Sequence, residues 1–286
     1  MYKQMDTSCL QYCLTAEERT QFEERGYFIV DRVLSPEMVT KLTAASDRVD
    51  AAFRAKEGLG PHDRSNIMGF AGEDELFLEL VDWPQTFPKV WGILGWNIQL
   101  YHAHMTITPP NDPDLLRAKE RQWHQDSGRL NKDIESIPRP RISLKVAYFL
   151  SDTTEEGRAN FYVLPGSHLS DQPDFPRDGV SDPEAAVPVR VPPGTAVLFD
   201  RRLWHSASEN FSDVTRKVLF YGYSYRWLRP RDDMSIVRFL DRCDPIRQQL
   251  LGASATGGRG FTSPEDVDVP LRAWIAEHLG EEAVVV

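Results

Sequence analysis

The chain of 286 residues carries 33 Lys and Arg against 43 Asp and Glu, a formal net charge of −10, with 41% hydrophobic and 27% charged residues. That composition is ordinary for a globular protein and excludes fibrous and disordered classes, while the negative balance opposes nucleic-acid and anionic membrane surfaces. Apolar runs such as VAYFL fall far short of the roughly 20 residues of a membrane span, and MYKQMDTSCLQYC has no apolar leader core, so a cytoplasmic location is expected.

Thr15-Ala-Glu-Glu18 has the spacing of a capping box and predicts a helix over residues 15–25. Gly26 breaks it, and Tyr27-Phe28-Ile29-Val30 reads as a short buried strand. Ser35-Pro36 restarts a helix, with Met38, Leu42, Ala45, Val49 and Phe53 at helical spacing. Residues 56–73 are rich in Gly, Asp and Asn and read as a loop. Helices are expected at FLELV and, past Pro84 and Pro88, at KVWGIL. From about residue 97 the pattern changes to short period-two segments between Pro, Gly and Asp clusters: IQLYHAHMTI, RISLKVAYFL, NFYVL, VPVRV, TAVLF and KVLFYGYSYRW. With no helix-length pattern between them, these predict an all-β sandwich or barrel. After Pro230 helical spacing returns in MSIVRFL and PLRAWIAEHL. Without repeats or a linker, residues 1–286 read as one domain: a helical flank (1–96), a β core (97–228) and a second helical flank (229–286). Cys9, Cys13 and Cys243 lack C-x-x-C spacing and read as free thiols.

Within ERQWHQDSGRL, His124 and Asp126 lie two apart, so on a strand both face one side. A surface histidine beside a capping aspartate is the commoner cause of such a pair, and a metal needs a third ligand. His168, in the turn PGSH, and His205, after TAVLFD, are the candidates. Two histidines and one carboxylate leave three adjacent positions open on iron, the arrangement of non-haem iron(II) oxygenases, and that chemistry favours His205. Arg216, eleven residues on, could return on the neighbouring antiparallel strand and pair with a carboxylate, or be a surface arginine after a turn.

Four stretches in order carry a resemblance: GYFIVDRVLSPEM, Trp123-His124-Gln125-Asp126, VLPGSH, and His205 with Arg216 eleven beyond. Over most of residues 14–228 the sequence resembles the phytanoyl-CoA dioxygenase family of iron(II)- and 2-oxoglutarate-dependent oxygenases. The resemblance implies a mainly β, cupin-like double-stranded β-helix, or jelly roll, flanked by helices. It implies His124, Asp126 and His205 as iron ligands and Arg216 as partner of the distal carboxylate of 2-oxoglutarate, with His168 structural. It also implies dioxygen as co-substrate, release of succinate and CO2, and hydroxylation of an unactivated C–H bond. Asp126 argues against halogenation, because halogenases of this kind replace that carboxylate with a small residue.

Two positions depart from the family pattern. Thr108 stands before Pro109-Pro110 where lysine is common, and Ala207 replaces a frequent serine or glycine. For the proximal end of 2-oxoglutarate we name Gln122, with Thr106 and Lys145 as further choices. Lys145 interrupts an apolar strand and, if inward, must meet a carboxylate of co-substrate, substrate or protein. His102 and His104 share a strand face and fall where the family lines its pocket. Phe161, Tyr223, Trp123 and Trp227 are further wall candidates or core-packing aromatics, and the polar segment 128–141, with Arg129, Lys132, Arg139 and Arg141, reads as a lid bringing positive charge to an anionic substrate or as a solvated loop. A small molecule of secondary metabolism is the expected substrate; oligomeric state is unreadable. The rival readings are a jelly-roll isomerase or hydrolase with another metal and no co-substrate, and a non-catalytic binding module.

Overall fold

The computed structural model describes residues 5–114, 121–134, 136–170, 173–178, 181–232 and 237–285. Seven α-helices are described: α1 Ala16–Arg25, α2 Pro36–Glu57, α3 Glu75–Glu79, α4 Phe87–Leu94, α5 Gly128–Asp133, α6 Pro245–Leu250 and α7 Pro270–Leu279. Nine strands accompany them: β1 Tyr27–Val30, β2 Ser65–Met68, β3 Ile98–Thr108, β4 Ser143–Phe149, β5 Phe161–Val163, β6 Val187–Val189, β7 Ala196–Asp200, β8 His205–Ala207 and β9 Arg216–Tyr225.

The helix starts follow from their caps. Thr15 Oγ1 accepts from the Glu18 N–H at 3.2 Å while the Glu18 carboxylate accepts from the Thr15 N–H at 3.0 Å, so two otherwise unpaired donors are satisfied together. Gly26, at φ 80°, ends the helix in the left-handed region. It also has to be glycine for space: a Cβ there would lie 2.6 Å from His168 Nδ1. His168 Nε2 bonds the Glu23 carbonyl at 3.0 Å, which makes it the structural residue expected of it. Ser35 caps α2 at the Met38 N–H, with Pro36 in the first turn.

Two antiparallel sheets face one another. The larger has the order β1-β7-β4-β9-β3-β2, the smaller β6-β5-β8, and with the flanking helices they make the expected jelly roll. Period two assigns each face of the large sheet. Leu144, Val146, Tyr148, Leu198, Leu219, Tyr221 and Tyr223 turn outward onto the helical layer, joining Phe70, Phe77, Phe87 and Trp91. Ala147, Phe149, Val197, Phe199, Val218 and Phe220 turn inward toward Phe161, Val163 and Val189 of the small sheet. The tyrosines carry their hydroxyls to partners: Tyr221 donates to the Phe77 carbonyl at 2.8 Å and Tyr223 to that of Val81 at 2.6 Å.

Three expectations change. The loop read over 56–73 contains edge strand β2, whose Ile67 is buried while Asn66 and Met68 face a cavity; four residues alternate too briefly to stand out against the Gly and Asp around them. The 128–141 loop begins with α5. Part of MSIVRFL, residues 234–236, lies outside the described residues, and Val237–Arg242 is a 3-10 turn. Among the described residues, no helix is long and apolar enough to cross a membrane. Cys9, Cys13 and Cys243 are free.

Candidate metal centre

Between the sheets opens a cavity of about 1590 Å³. One potential ligand atom each from His124, Asp126 and His205 lies within 4.8 Å of the others. Main-chain bonds set this convergence. His124 and His205 form an isolated antiparallel bridge, each N–H donating to the other's carbonyl at 3.0 Å. The Asp126 N–H donates to the Arg201 carbonyl at 2.9 Å, and the Gln125 side-chain amide donates to that of Arg202 at 2.6 Å. The segment 124–126 is therefore docked along the turn that leads into β8.

That turn is held by Asp200, whose carboxylate accepts from the Arg202 N–H at 2.9 Å, from Arg202 Nε at 2.8 Å and from Arg141 Nε at 3.1 Å. Arg141 in turn makes a two-pronged pair with Glu23. These contacts correct the lid reading in part: Arg141 braces the turn and Arg139 bonds the Asn131 carbonyl, while Arg129 alone of the four cations named lines the cavity.

The imidazoles are oriented before any metal arrives. His124 Nδ1 lies 2.8 Å from the Gln122 carbonyl and His205 Nδ1 lies 2.8 Å from that of Leu203. A carbonyl only accepts, so each Nδ1 carries the proton and each Nε2 keeps its lone pair for a metal. Burial, then the neighbouring His124, pushes the His205 imidazolium down to about 3, so it is neutral. Phe161 and Phe199 pack against its ring at 5.4 and 5.2 Å.

Lys145 points inward and meets a protein carboxylate, with Nζ 2.7 Å from Asp126 Oδ1. Burial alone raises the Asp126 carboxyl, but Lys145 and then His205 hold it well below the usual carboxylate range. Among the described residues, the buried Asp126 Oδ2 has no partner. With one oxygen bound to the ammonium, the other is left to ligate. This corrects the placing of Lys145 at the co-substrate: its partner in the structure is the Asp126 carboxylate. Two imidazole Nε2 atoms and one orphaned carboxylate oxygen are the donor set of a mononuclear iron(II) site, and the residues fit that ion.

Arg216 opens β9 on the inward face, 2% exposed, lining the same cavity. Its Nε has no hydrogen-bond partner, and no carboxylate pairs with it among the described residues. Burial and then Arg64 lower its guanidinium to about 9. A buried cation without an anion is costly, a cost that an anionic guest in the cavity would offset.

Gln122, Thr106, His102, His104, Phe161 and Arg129 all line the cavity. Thr106 Oγ1 is buried and unpartnered among the described residues. Tyr223 does not line it: it sits on the opposite face, with its hydroxyl on Val81. Trp123 turns its indole to Asp182, and Trp227 stacks on Tyr225 at the surface. Sequence reasoning missed Asp232, which accepts from His102 Nδ1 at 2.7 Å and from the Ala103 N–H at 2.6 Å. It lies 130 residues from His102, and nothing local marks it. Arg64, Phe199 and Phe220, also cavity residues, were missed as well. Phe199 and Phe220 were legible from strand parity; Arg64 looked like any loop arginine.

A jelly roll holding two histidines, one carboxylate and a buried arginine in one cavity defines a mononuclear non-haem iron oxygenase of the kind that consumes a 2-oxo acid. The comparisons agree. The family profile described as "Phytanoyl-CoA dioxygenase (PhyH)" matches residues 22–218. Peroxisomal phytanoyl-CoA dioxygenase from Rattus norvegicus is 25% identical over 73% of this chain and 68% of its own. Among solved structures, the non-heme alpha-ketoglutarate-dependent carbocyclase SnoK from nogalamycin biosynthesis is 22% identical, with TM-score 0.58 over 81% of this chain and 92% of that one. HygX from Streptomyces hygroscopicus, with nickel and 2-oxoglutarate bound, is 15% identical, with TM-score 0.61 over 76% and 90%. The chain belongs to the phytanoyl-CoA dioxygenase family, and with it to the iron(II)- and 2-oxoglutarate-dependent dioxygenases.

Proposed function

We propose that the enzyme hydroxylates an unactivated C–H bond of a small molecule, an intermediate of secondary metabolism, while converting 2-oxoglutarate to succinate and CO2. The observation that carries the reading is the pairing, in one cavity, of the His124, Asp126 and His205 triad with a buried Arg216 that lacks an anion among the described residues. Iron with its co-substrates supplies the oxidising power for removing a hydrogen atom from carbon.

The chain's own residues set the rest. Arg216 holds the far carboxylate of 2-oxoglutarate by a charge-assisted pair. Lys145 keeps Asp126 to a single free oxygen, and Phe161 and Phe199 pack an apolar wall against the His205 ring. Asp126 occupies the place a halide would need, which favours hydroxylation. His102 is held by Asp232, and burial lowers its pKa, so its unpartnered Nε2 offers a hydrogen-bond acceptor to the guest. His104 stacks between His102 and Phe220, at 4.8 and 4.4 Å, and fixes the wall. The cavity exceeds the roughly 300–1,000 Å³ typical of small-molecule sites, which leaves room for a substrate beside the co-substrate.

Anaerobic addition of iron(II) and 2-oxoglutarate should give the weak visible absorption of the chelate, and aerobic incubation with candidate metabolites should release succinate. A colourless mixture without succinate would overturn the reading.

A further inference from the structure

Arg216 is not the only cation on its side of the cavity. Strand register gives the relationship. Thr108 of β3 pairs with Arg216 of β9, and Ser65 of β2 pairs with Ile107 of β3. Arg64, one residue before β2, continues that register toward Thr108. Adjacent antiparallel strands run about 5 Å apart, so Arg64 and Arg216 flank Thr108 on either side, on the face that lines the cavity. All three residues line it.

Their surroundings differ in a useful way. Arg216 is buried at the floor, and Arg64 is exposed at the rim. Among the described residues neither guanidinium has a hydrogen-bonded carboxylate. Glu209, also a lining residue, acts on Arg64 only through space. Two like charges that face each other across one threonine repel unless an anion lies between them. Each guanidinium presents planar N–H donors suited to one carboxylate edge, and the Thr108 hydroxyl adds a donor from the strand between.

We propose that Arg64 is a second anchor for the distal carboxylate of 2-oxoglutarate, closing over it from the rim while Arg216 holds it from the floor. The inference rests on the 2-oxoglutarate reading above. It makes the site selective for 2-oxo acids that carry a second carboxylate, with part of that selectivity residing in an exposed and therefore salt-sensitive charge.

The test is anaerobic titration of the iron(II)-loaded protein, read by chelate absorption, with two probes. 2-Oxoglutarate carries the distal carboxylate; pyruvate has the same chelating head without it. Arg64→Gln should weaken 2-oxoglutarate by roughly tenfold, the size of one charge-assisted hydrogen bond, and leave pyruvate within about twofold by the same reasoning. Arg64→Lys should restore much of the loss. Added salt should weaken 2-oxoglutarate binding more in the wild type than in Arg64→Gln.

Unchanged 2-oxoglutarate affinity in Arg64→Gln, or an equal loss for both probes, would overturn the second anchor. Failure of the wild type to form any chelate with 2-oxoglutarate would instead overturn the co-substrate reading itself, so the two failures are distinct.

Discussion

Lys145 and Asp126 form a buried ion pair, Nζ to Oδ1 at 2.7 Å, with side chains 4% and 8% exposed. In the metal-free protein each charge compensates the other. Lys145→Met leaves Asp126 as an uncompensated buried charge, and breaking such a pair costs about 3–5 kcal/mol. A divalent ion replaces the missing positive charge. Iron(II) or zinc should therefore raise the Tm of Lys145→Met by more than that of the wild type. Equal metal-induced shifts in a thermal scan would contradict the pairing as the reason Lys145 is buried there.

Arg216→Ala separates the co-substrate from the metal. Loss of a buried guanidinium that pairs with a carboxylate should weaken 2-oxoglutarate by about 2–3 kcal/mol, a 30- to 150-fold rise in Kd. Iron(II) affinity should stay within about twofold, because Arg216 is no part of the triad. Calorimetric titration of each ligand in turn measures both. Parallel losses would show that Arg216 supports the fold and not the guest.

The turn that docks the ligand segment is ionic, and this gives a pH dependence. Hydrogen bonds from Arg141 lower the Glu23 carboxyl; at Asp200 burial opposes ionisation and Arg202 outweighs it, so that carboxyl is lowered too. Folded values below unfolded ones mean that the unfolded chain takes up protons first as acid is added. The contribution is complete above the ordinary carboxylate range, near pH 4, and is lost as pH falls through the depressed folded values. Arg141→Gln should be less stable than wild type in urea at pH 7, and the gap should narrow toward pH 3. A gap that widened in acid would refute the assignment.

Gly222 of β9 faces the bulge between Leu100 and His102 in β3. A Cβ there would lie 2.9 Å from Tyr101 Cε1 and 3.2 Å from the His102 carbonyl, and the backbone oxygen cannot swing aside. Gly222→Ala should destabilise by about 1–3 kcal/mol through overpacking. Its iron affinity should be preserved, because the triad sits on other segments. Urea unfolding and a metal titration check the two halves.

Much of the site was legible in the sequence because strands alternate. The two-residue spacing of His124 and Asp126 placed both toward one point, and the ordered set out to Arg216 marked the cavity. Parity also exposes one of the three misplaced wall residues. Arg216, Val218, Phe220 and Gly222 share a face of β9, so Tyr223 belongs to the other, where it reaches Val81. Lys145 was readable as a charge interrupting an apolar strand, but its direction and its partner were left open, since the pairing with Asp126 joins separate segments. Asp232 and Arg64 were invisible for the same reason. Each acts on residues distant in the chain, and only the completed sheet brings them to the cavity.

The reciprocal bridge between residues 124 and 205 is made of peptide atoms, so its integrity does not depend on which side chains those positions carry. Truncating His205 to alanine or glycine thus leaves a ready-shaped socket instead of a collapsed loop, and free imidazole in the buffer should slip into it and revive metal capture. The same backbone frame offers a place to graft a thiolate or a second carboxylate and retune which ion the protein prefers.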